Sequence, residues 1–150
     1  MNKLGQIKTA PMILEITSFS YKAPLPAHIF ALGEGRHGGG FVFDCRSLPN
    51  PGREEHFKLQ TGLDSNVIAY LNGSIEVAAF REHTFALVSS AVTNFLSRGF
   101  EFMNVSFGCT GGQHRSVYLS EQLANHIAAS FSTQVQPQVI HYNLKALGLL

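Results

Sequence analysis

Short hydrophobic runs alternate along the chain with longer stretches in which apolar residues recur every three or four positions, so strands and helices are predicted in turn. The short runs are rich in Ile, Val and Phe, which favour extended backbone. They predict four strands, at residues 14–21, 41–46, 100–107 and 135–142.

Apolar residues at helical spacing predict two longer helices. These helices cover residues 84–98 and 117–131. In the first of them Phe85, Val88 and Val92 fall on one face, which is typical of a helix packed against a core. Gly99 follows directly and is expected to end that helix, because glycine accepts the left-handed conformation common at helix ends.

Two weaker elements are predicted between the second strand and the first long helix. Asp64 or Ser65 can cap a short helix over residues 66–71, and Gly73 is placed to stop it. Residues 75–80 are predicted to form a weak strand or an extended stretch.

The order of these elements predicts the fold class. A strand, a helix and a further strand form a right-handed crossover between parallel strands. The sequence therefore predicts a single α/β domain over residues 1–150, with a mainly parallel sheet and helices on both of its faces. A length of 150 residues with 45% apolar residues suits one such domain.

Charge and cysteine content limit the expected partners and location. Only 14% of the residues are charged and the formal net charge is +1, so no general attraction to nucleic acid or to an acidic membrane is expected. The apolar residues 12–14 are followed by Glu15 and are too few for a signal sequence or a membrane span. Cys45 and Cys109 are too few for a disulfide framework. A cytoplasmic protein with reduced thiols is expected.

Residues 108–116, which we call the glycine loop, join a predicted strand to a predicted helix and read Gly-Cys-Thr-Gly-Gly-Gln-His-Arg-Ser. Loop amides and the positive end of a helix attract anions at such a junction. The residues expected to bind a phosphate-type anion are Cys109, Thr110, Gly111, Gly112, Gln113, His114, Arg115 and Ser116. Arg115, expected to be exposed at the helix start, offers a planar fork to phosphate oxygens. A tight turn without a ligand is the alternative interpretation.

The glycine loop also resembles the phosphate loop of cysteine-dependent phosphatases, because five residues separate Cys109 from Arg115 and Ser116 follows. A thiolate at a helix N-terminus can attack phosphorus. In that alternative Cys109 is the nucleophile, Arg115 holds the oxygens and Asp44 is the acid. A small buried cysteine that closes a strand is equally compatible, and little or no phosphatase activity is expected.

Polar residues end the second predicted strand. Ligands in parallel sheets bind beyond the carboxyl ends of the strands, so Asp44 and Arg46 are expected to face the glycine loop. Asp44 is then an acceptor for a ligand hydroxyl or amine. Alternatively, Asp44 caps a turn or pairs with Arg46.

The seven histidines show no metal-ligand spacing, and no metal site is predicted. His28 and His37 fall in a Pro- and Gly-rich stretch, residues 24–40, that is predicted to be a mobile loop. Together with His56 they can reach a ligand. His83 and His126 are expected on helix surfaces.

Five segments resemble the C-terminal domain of the RapZ family, which are bacterial RNase adapter proteins. The segments are residues 18–22 (SFSYK), 43–51 (FDCRSLPNP), 59–64 (LQTGLD), 108–118 (GCTGGQHRSVY) and 121–124 (EQLA). The resemblance covers most of the chain. It implies a domain that binds an amino-sugar phosphate and takes part in small-RNA binding, and that follows a nucleotide-binding domain in full-length members.

The chain departs from the family pattern in three ways. The phosphate-loop pattern G-x-x-x-x-G-K-[ST] is absent, so neither ATP nor another cofactor is expected. Gly52 and Arg53 stand where the family tends to have a histidine and an aromatic residue. Where the family has a basic tail, Lys145 is the only lysine or arginine in residues 139–150, so weak RNA binding is expected.

Taken together, the sequence favours a sensor of a phosphorylated metabolite that acts as a regulatory adaptor. Its expected ligand is a phosphorylated small molecule or an inorganic anion, and binding is expected to alter contacts with a protein partner or a second copy. No membrane partner and no enzymatic activity are expected. A cysteine-dependent phosphatase, and an RNA or protein adaptor without a small ligand, are the alternatives.

Overall fold

Four parallel strands form one sheet in a computed structural model that describes residues 10–27 and 39–150. The strands are β1 (Met12–Ser20), β2 (Gly40–Asp44), β3 (Phe102–Cys109) and β4 (Val135–His141). Their order across the sheet is β2-β3-β1-β4, and every neighbouring pair is parallel. The predicted parallel sheet is confirmed, and the strands lie close to their predicted positions.

The described residues also form three α-helices. They are α1 (Ser65–Asn72), α2 (Ile75–Ser97) and α3 (Arg115–Phe131). Single 3-10 turns occupy Pro51–Arg53, Glu55–Phe57 and Ser132–Gln134. Gly99 has a φ of 75° just after α2, which confirms its predicted place at the helix end.

The predicted strand at residues 75–80 is wrong, because these residues form the first turns of α2. Ser74 Oγ accepts a hydrogen bond from the backbone N–H of Val77 at 3.2 Å and donates to a carboxylate oxygen of Glu76 at 2.9 Å. Such a cap satisfies a donor that the helix itself leaves free. The β-branched Ile75 and Val77 favour a strand by propensity, but the cap and the burial of Val77 outweigh that preference.

The helices of the described residues pack on one face of the sheet. The connections from β2 to β3 and from β3 to β4 cross the sheet in the same direction, and right-handed crossovers in one direction place their helices on one face. The expected second layer of helices is therefore not found within residues 10–27 and 39–150. The sequence predicts the alternation of elements, but the face of each helix depends on the strand order.

Alternate residues of the central strands build the core between sheet and helices. Met12, Leu14 and Ile16 of β1 have no exposed surface and belong to one cluster with residues of all three helices. The helical members that are fully buried are Val67, Leu71, Val88, Val92, Leu119, Leu123 and Ile127. Burial of each such side chain stabilises the fold by about 1.5–3 kcal/mol.

The carboxyl ends of β1, β2 and β3 meet at one point on the sheet. Phe19 and Asp44 both lie beside Gly108 in the register. A Cβ atom on Gly108 would lie 2.5 Å from ring carbons of Phe19 and Tyr21. Glycine is therefore required here, and the close approach brings the end of β2 next to the start of the glycine loop.

Candidate functional site

The glycine loop connects β3 to α3, and its glycines differ in conformation and in the space around them. Gly112 has a φ of 66°, and a Cβ there would lie 3.0 Å from the backbone nitrogen of Ser20. A Cβ on Gly111 would meet nothing within 4 Å. Within the described part of the chain, His114 makes no side-chain cap at the N-terminus of α3. The first N–H groups of this helix thus keep donor capacity for an anion.

Consecutive side chains of the glycine loop hold residues 46–60, which we call the clamped segment. Gln113 Nε2 donates to the carbonyl oxygens of Lys58 and Gln60, each at 2.7 Å. His114 Nε2 donates to the carbonyl oxygen of Phe57 at 2.8 Å. These side chains bind protein backbone, so their predicted contact with a ligand is not supported by their hydrogen bonds.

Arg115 is buried, with only 4% of its surface exposed, and the expectation that it is exposed at the helix start is wrong. Its Nη1 donates to the carbonyl oxygens of Arg46 at 3.0 Å and Leu48 at 2.9 Å, and its Nη2 donates to Thr110 Oγ1 at 3.3 Å. The guanidinium is drawn inward because it satisfies carbonyl groups of the clamped segment. Its Nε is buried and has no partner among the described residues.

Burial lowers the pKa of His114, and hydrogen bonds to the backbone of Phe57 and Gln60 oppose that effect only in part. The imidazole is therefore neutral near pH 7 and carries its proton on Nε2, which donates to the Phe57 carbonyl. A neutral ring adds no positive charge to the site.

The two cysteines are buried beside the core. Cys109 has 2% of its surface exposed, and its Sγ lies 3.1 Å from Ser116 Oγ, which is also buried. The backbone N–H of Cys45 donates to the Gly108 carbonyl at 2.7 Å, and burial raises the pKa of the Cys45 thiol well above its usual value. Cys109 and Ser116, near the two ends of the glycine loop, are thus buried with their side chains in contact with each other.

Asp44 and Arg46 come together at the end of β2 as a pair. Arg46 Nε and Nη2 donate to both carboxylate oxygens of Asp44 at 2.6–3.0 Å, and its guanidinium carbon lies 4.1 Å from the centre of the Tyr21 ring. The hydrogen bonds from Arg46 hold the pKa of Asp44 below its usual value. The pairing that the sequence left as an alternative is present.

A cavity of about 420 Å³ opens between the clamped segment, the glycine loop and the start of α2. Its lining residues are Arg46, Ser47, Leu48, Pro49, Asn50, Arg53, Glu76, Thr110 and Arg115. Three of the predicted ligand-binding residues, Arg46, Thr110 and Arg115, are among them. The lining does not include Asp44, Cys109 or the residues from Gly111 to His114. We call this cavity the arginine pocket.

Sequence reasoning missed Arg53 and Glu76. Arg53 follows the Asn50-Pro51 turn, where only the departure from the family pattern marked the position. Glu76 is found once residues 75–80 are recognised as the start of a helix, which the Ser74-x-Glu76 pattern could have indicated.

The remaining candidates lie away from the arginine pocket or outside the described residues. His28 and His37 belong to the part of the chain that is not described. His56 is exposed and packs against the Phe57 ring at 4.0 Å between centres. Asp64 precedes α1, but its carboxylate accepts from the Thr61 N–H at 2.6 Å and makes no side-chain cap with the helix. His126 contacts Ser89 at 2.9 Å.

Neither a metal-binding cluster nor a membrane-spanning helix is present among the described residues. Within residues 10–27 and 39–150 there is no group of three His, Cys, Asp or Glu side chains that could hold a metal ion. In the same residues no helix is long and apolar enough to cross a bilayer.

Comparison with known sequences gives one family. A sequence profile described as the RapZ C-terminal domain matches residues 12–145. A nucleotide-binding protein of Nitrosococcus oceani is 37% identical over 124 residues, which are 83% of this chain and 41% of that protein. Proteins of the same description from Pseudothermotoga lettingae and Alkalilimnicola ehrlichii are 33% identical over 136 residues and 40% identical over 111 residues. They cover 89% and 74% of this chain, which spans 45% and 35% of their lengths.

Proposed function

The chain belongs to the RapZ C-terminal domain family, and from that premise we propose that it is the ligand-sensing part of a regulatory adaptor. The proposed ligand is a phosphorylated small molecule, and an amino-sugar phosphate is the first candidate because of the family resemblance. The supporting observation is the arginine pocket, where three arginines surround a cavity next to the uncapped N-terminus of α3. Guanidinium groups and helix N-termini both favour phosphate oxygens.

The clamped segment could convert ligand binding into a change that a partner recognises. Part of this segment lines the arginine pocket, and hydrogen bonds from Gln113, His114 and Arg115 hold it against the glycine loop. A ligand bound between these two parts would stabilise one arrangement of the segment. We propose that a protein partner or a second copy of the chain recognises that arrangement, and that this occurs in the cytoplasm.

The alternatives have less support. For a phosphatase, Cys109 would have to reach a substrate, yet its thiol lies against Ser116 and it is absent from the pocket lining. RNA binding would need several basic contacts, and the net charge of the chain is +1. The nucleotide-binding description belongs to relatives of which this chain spans less than half.

A thermal-shift series tests the proposal. Inorganic phosphate, hexose phosphates, 2-amino-hexose phosphates and nucleotides are added to the chain, and its melting temperature is followed. We expect phosphate monoesters to raise the melting temperature progressively with concentration, because a ligand at 100 times its Kd stabilises the folded chain by about 2.7 kcal/mol. If no phosphorylated compound stabilises the folded chain at about 10 mM, where even millimolar affinity would register, the proposal fails.

A further inference from the structure

Hydrogen bonds hold the backbone at Arg53, whereas its side chain makes none with the described residues. The Asn50 side chain accepts from the Gly52 N–H at 3.0 Å, and the Asn50 carbonyl accepts from the Arg53 N–H at 3.2 Å. Pro51 is buried within this turn. The side chain of Arg53 is exposed and makes no hydrogen bond or ion pair with any described residue. The turn therefore presents a free guanidinium to the arginine pocket.

The other two arginines of the pocket are partly occupied. Arg46 uses Nε and Nη2 on Asp44, which also neutralises its charge. Arg115 uses Nη1 on two backbone carbonyls and Nη2 on Thr110, so that its unpartnered Nε remains the main free donor. A guanidinium has five N–H donors in a planar fork. Among the three pocket arginines, Arg53 alone has none of these donors bonded to a described residue.

Glu76 brings a carboxylate to the same cavity. It stands in the first turn of α2, where one of its oxygens accepts from Ser74 Oγ at 2.9 Å. No ion pair joins Glu76 to Arg53 within the described residues. A carboxylate that lines an anion site repels a bare anion, and that cost is removed only by a ligand that donates a hydrogen bond to it.

We propose that Arg53 is the principal anion contact of the arginine pocket and that Glu76 accepts a hydrogen bond from a hydroxyl or amino group of the same ligand. The pocket then selects a phosphate monoester that carries such donors over phosphate alone. Arg115 acts mainly by holding the clamped segment, and its buried Nε adds one contact. This inference rests on the proposed function, because it names the residues that contact the ligand.

Charge-matched variants test the role of Arg53. Binding of inorganic phosphate and of a hexose 6-phosphate is measured by titration calorimetry for the parent, Arg53→Ala and Arg98→Ala. Arg98 is exposed after α2, lies over the Phe100 ring and does not line the pocket. Arg53→Ala should weaken the hexose phosphate by about 10- to 100-fold, and Arg98→Ala by less than about twofold.

The outcomes separate this inference from the proposed function. If the parent binds and Arg53→Ala binds as tightly, the role of Arg53 is wrong while ligand sensing stands. If the parent binds neither compound, both ideas are overturned. Equal melting temperatures of the unliganded parent and Arg53→Ala are expected, because the Arg53 side chain has no hydrogen-bond or ion-pair partner among the described residues.

A second pair of variants tests Glu76. Glu76→Gln should lower the preference of the chain for hexose 6-phosphate over inorganic phosphate by about tenfold, through weaker binding of the sugar or tighter binding of phosphate. Glu82→Gln is the control, because Glu82 is exposed on the same helix outside the pocket. An unchanged preference in Glu76→Gln would overturn the role of the carboxylate even if Arg53 behaves as expected.

Discussion

At the scale of single residues, Arg115 shows how position and role can separate. It is the first residue of α3, two positions before the predicted start of the helix, and its side chain reaches back under the clamped segment. The sequence could not reveal this, because the partners are the backbone carbonyls of Arg46 and Leu48, which any residue types would provide. Because the Arg115 guanidinium donates to buried carbonyls, its main role is to stabilise the fold, and contact with a ligand is secondary.

We expect Arg115→Ala to destabilise the fold. The substitution leaves the carbonyls of Arg46 and Leu48 without their donor, at a cost of about 2–4 kcal/mol in the free energy of unfolding. Urea denaturation measures the change. Arg98→Ala is the control, because Arg98 is exposed over the Phe100 ring and should cost about 0.5–1 kcal/mol. An Arg115→Ala protein as stable as the parent would show that the hydrogen bonds from Arg115 to these carbonyls contribute nothing to stability.

The lowered pKa of His114 predicts a pH effect on stability. Because burial depresses the pKa of the folded imidazole below 6.5, the unfolded chain binds the proton more readily. The contribution of His114 to stability is complete above about pH 6.5 and is lost as the pH falls below that value. We expect the parent to lose more stability than His114→Gln between about pH 7.5 and pH 5.5 in urea denaturation. Parallel losses in the two proteins would exclude this role of His114.

At the scale of elements, the sequence predicted what depends on local pattern. The four strands and α3 were found because their apolar residues follow strand or helix periods over the whole element. The start of α2 was missed because Ile75 and Val77 are β-branched, while the deciding cap is one hydroxyl on Ser74. Only three of the nine lining residues of the pocket were predicted. Arg53 and Glu76 were missed because tertiary packing alone brings their elements to the glycine loop.

The contact between the turn at residues 61–64 and α3 gives a prediction for two glycines. A Cβ on Gly62 would lie 2.4 Å from the His114 carbonyl oxygen and the Tyr118 nitrogen, whereas a Cβ on Gly111 would meet nothing within 4 Å. Because backbone atoms cannot move aside easily, Gly62→Ala should cost about 2–4 kcal/mol in the free energy of unfolding. Gly111→Ala should change it by less than about 1 kcal/mol. Denaturation curves that rank the two variants in the opposite order would contradict the described packing.

At the scale of the whole molecule, the fold brings residues distant in sequence to one edge of the sheet. The clamped segment follows β2, the glycine loop follows β3, and Glu76 begins the helix that leads back to the sheet. Parallel strands make this convergence general, because their carboxyl ends share one edge. The chain spans less than half the length of these relatives. The adaptor role that we propose for it concerns how this edge communicates with a partner.

The most direct test of ligand sensing is a titration of the ¹⁵N-labelled chain with a hexose 6-phosphate, followed by its amide resonances. We expect saturable shifts for the amides of residues that line the arginine pocket, including those of Asn50, Arg53, Thr110 and Arg115, with the remote amides of β4 unchanged. Saturable shifts confined to another surface, or none at about 10 mM ligand, where even a millimolar Kd would approach saturation, would contradict it.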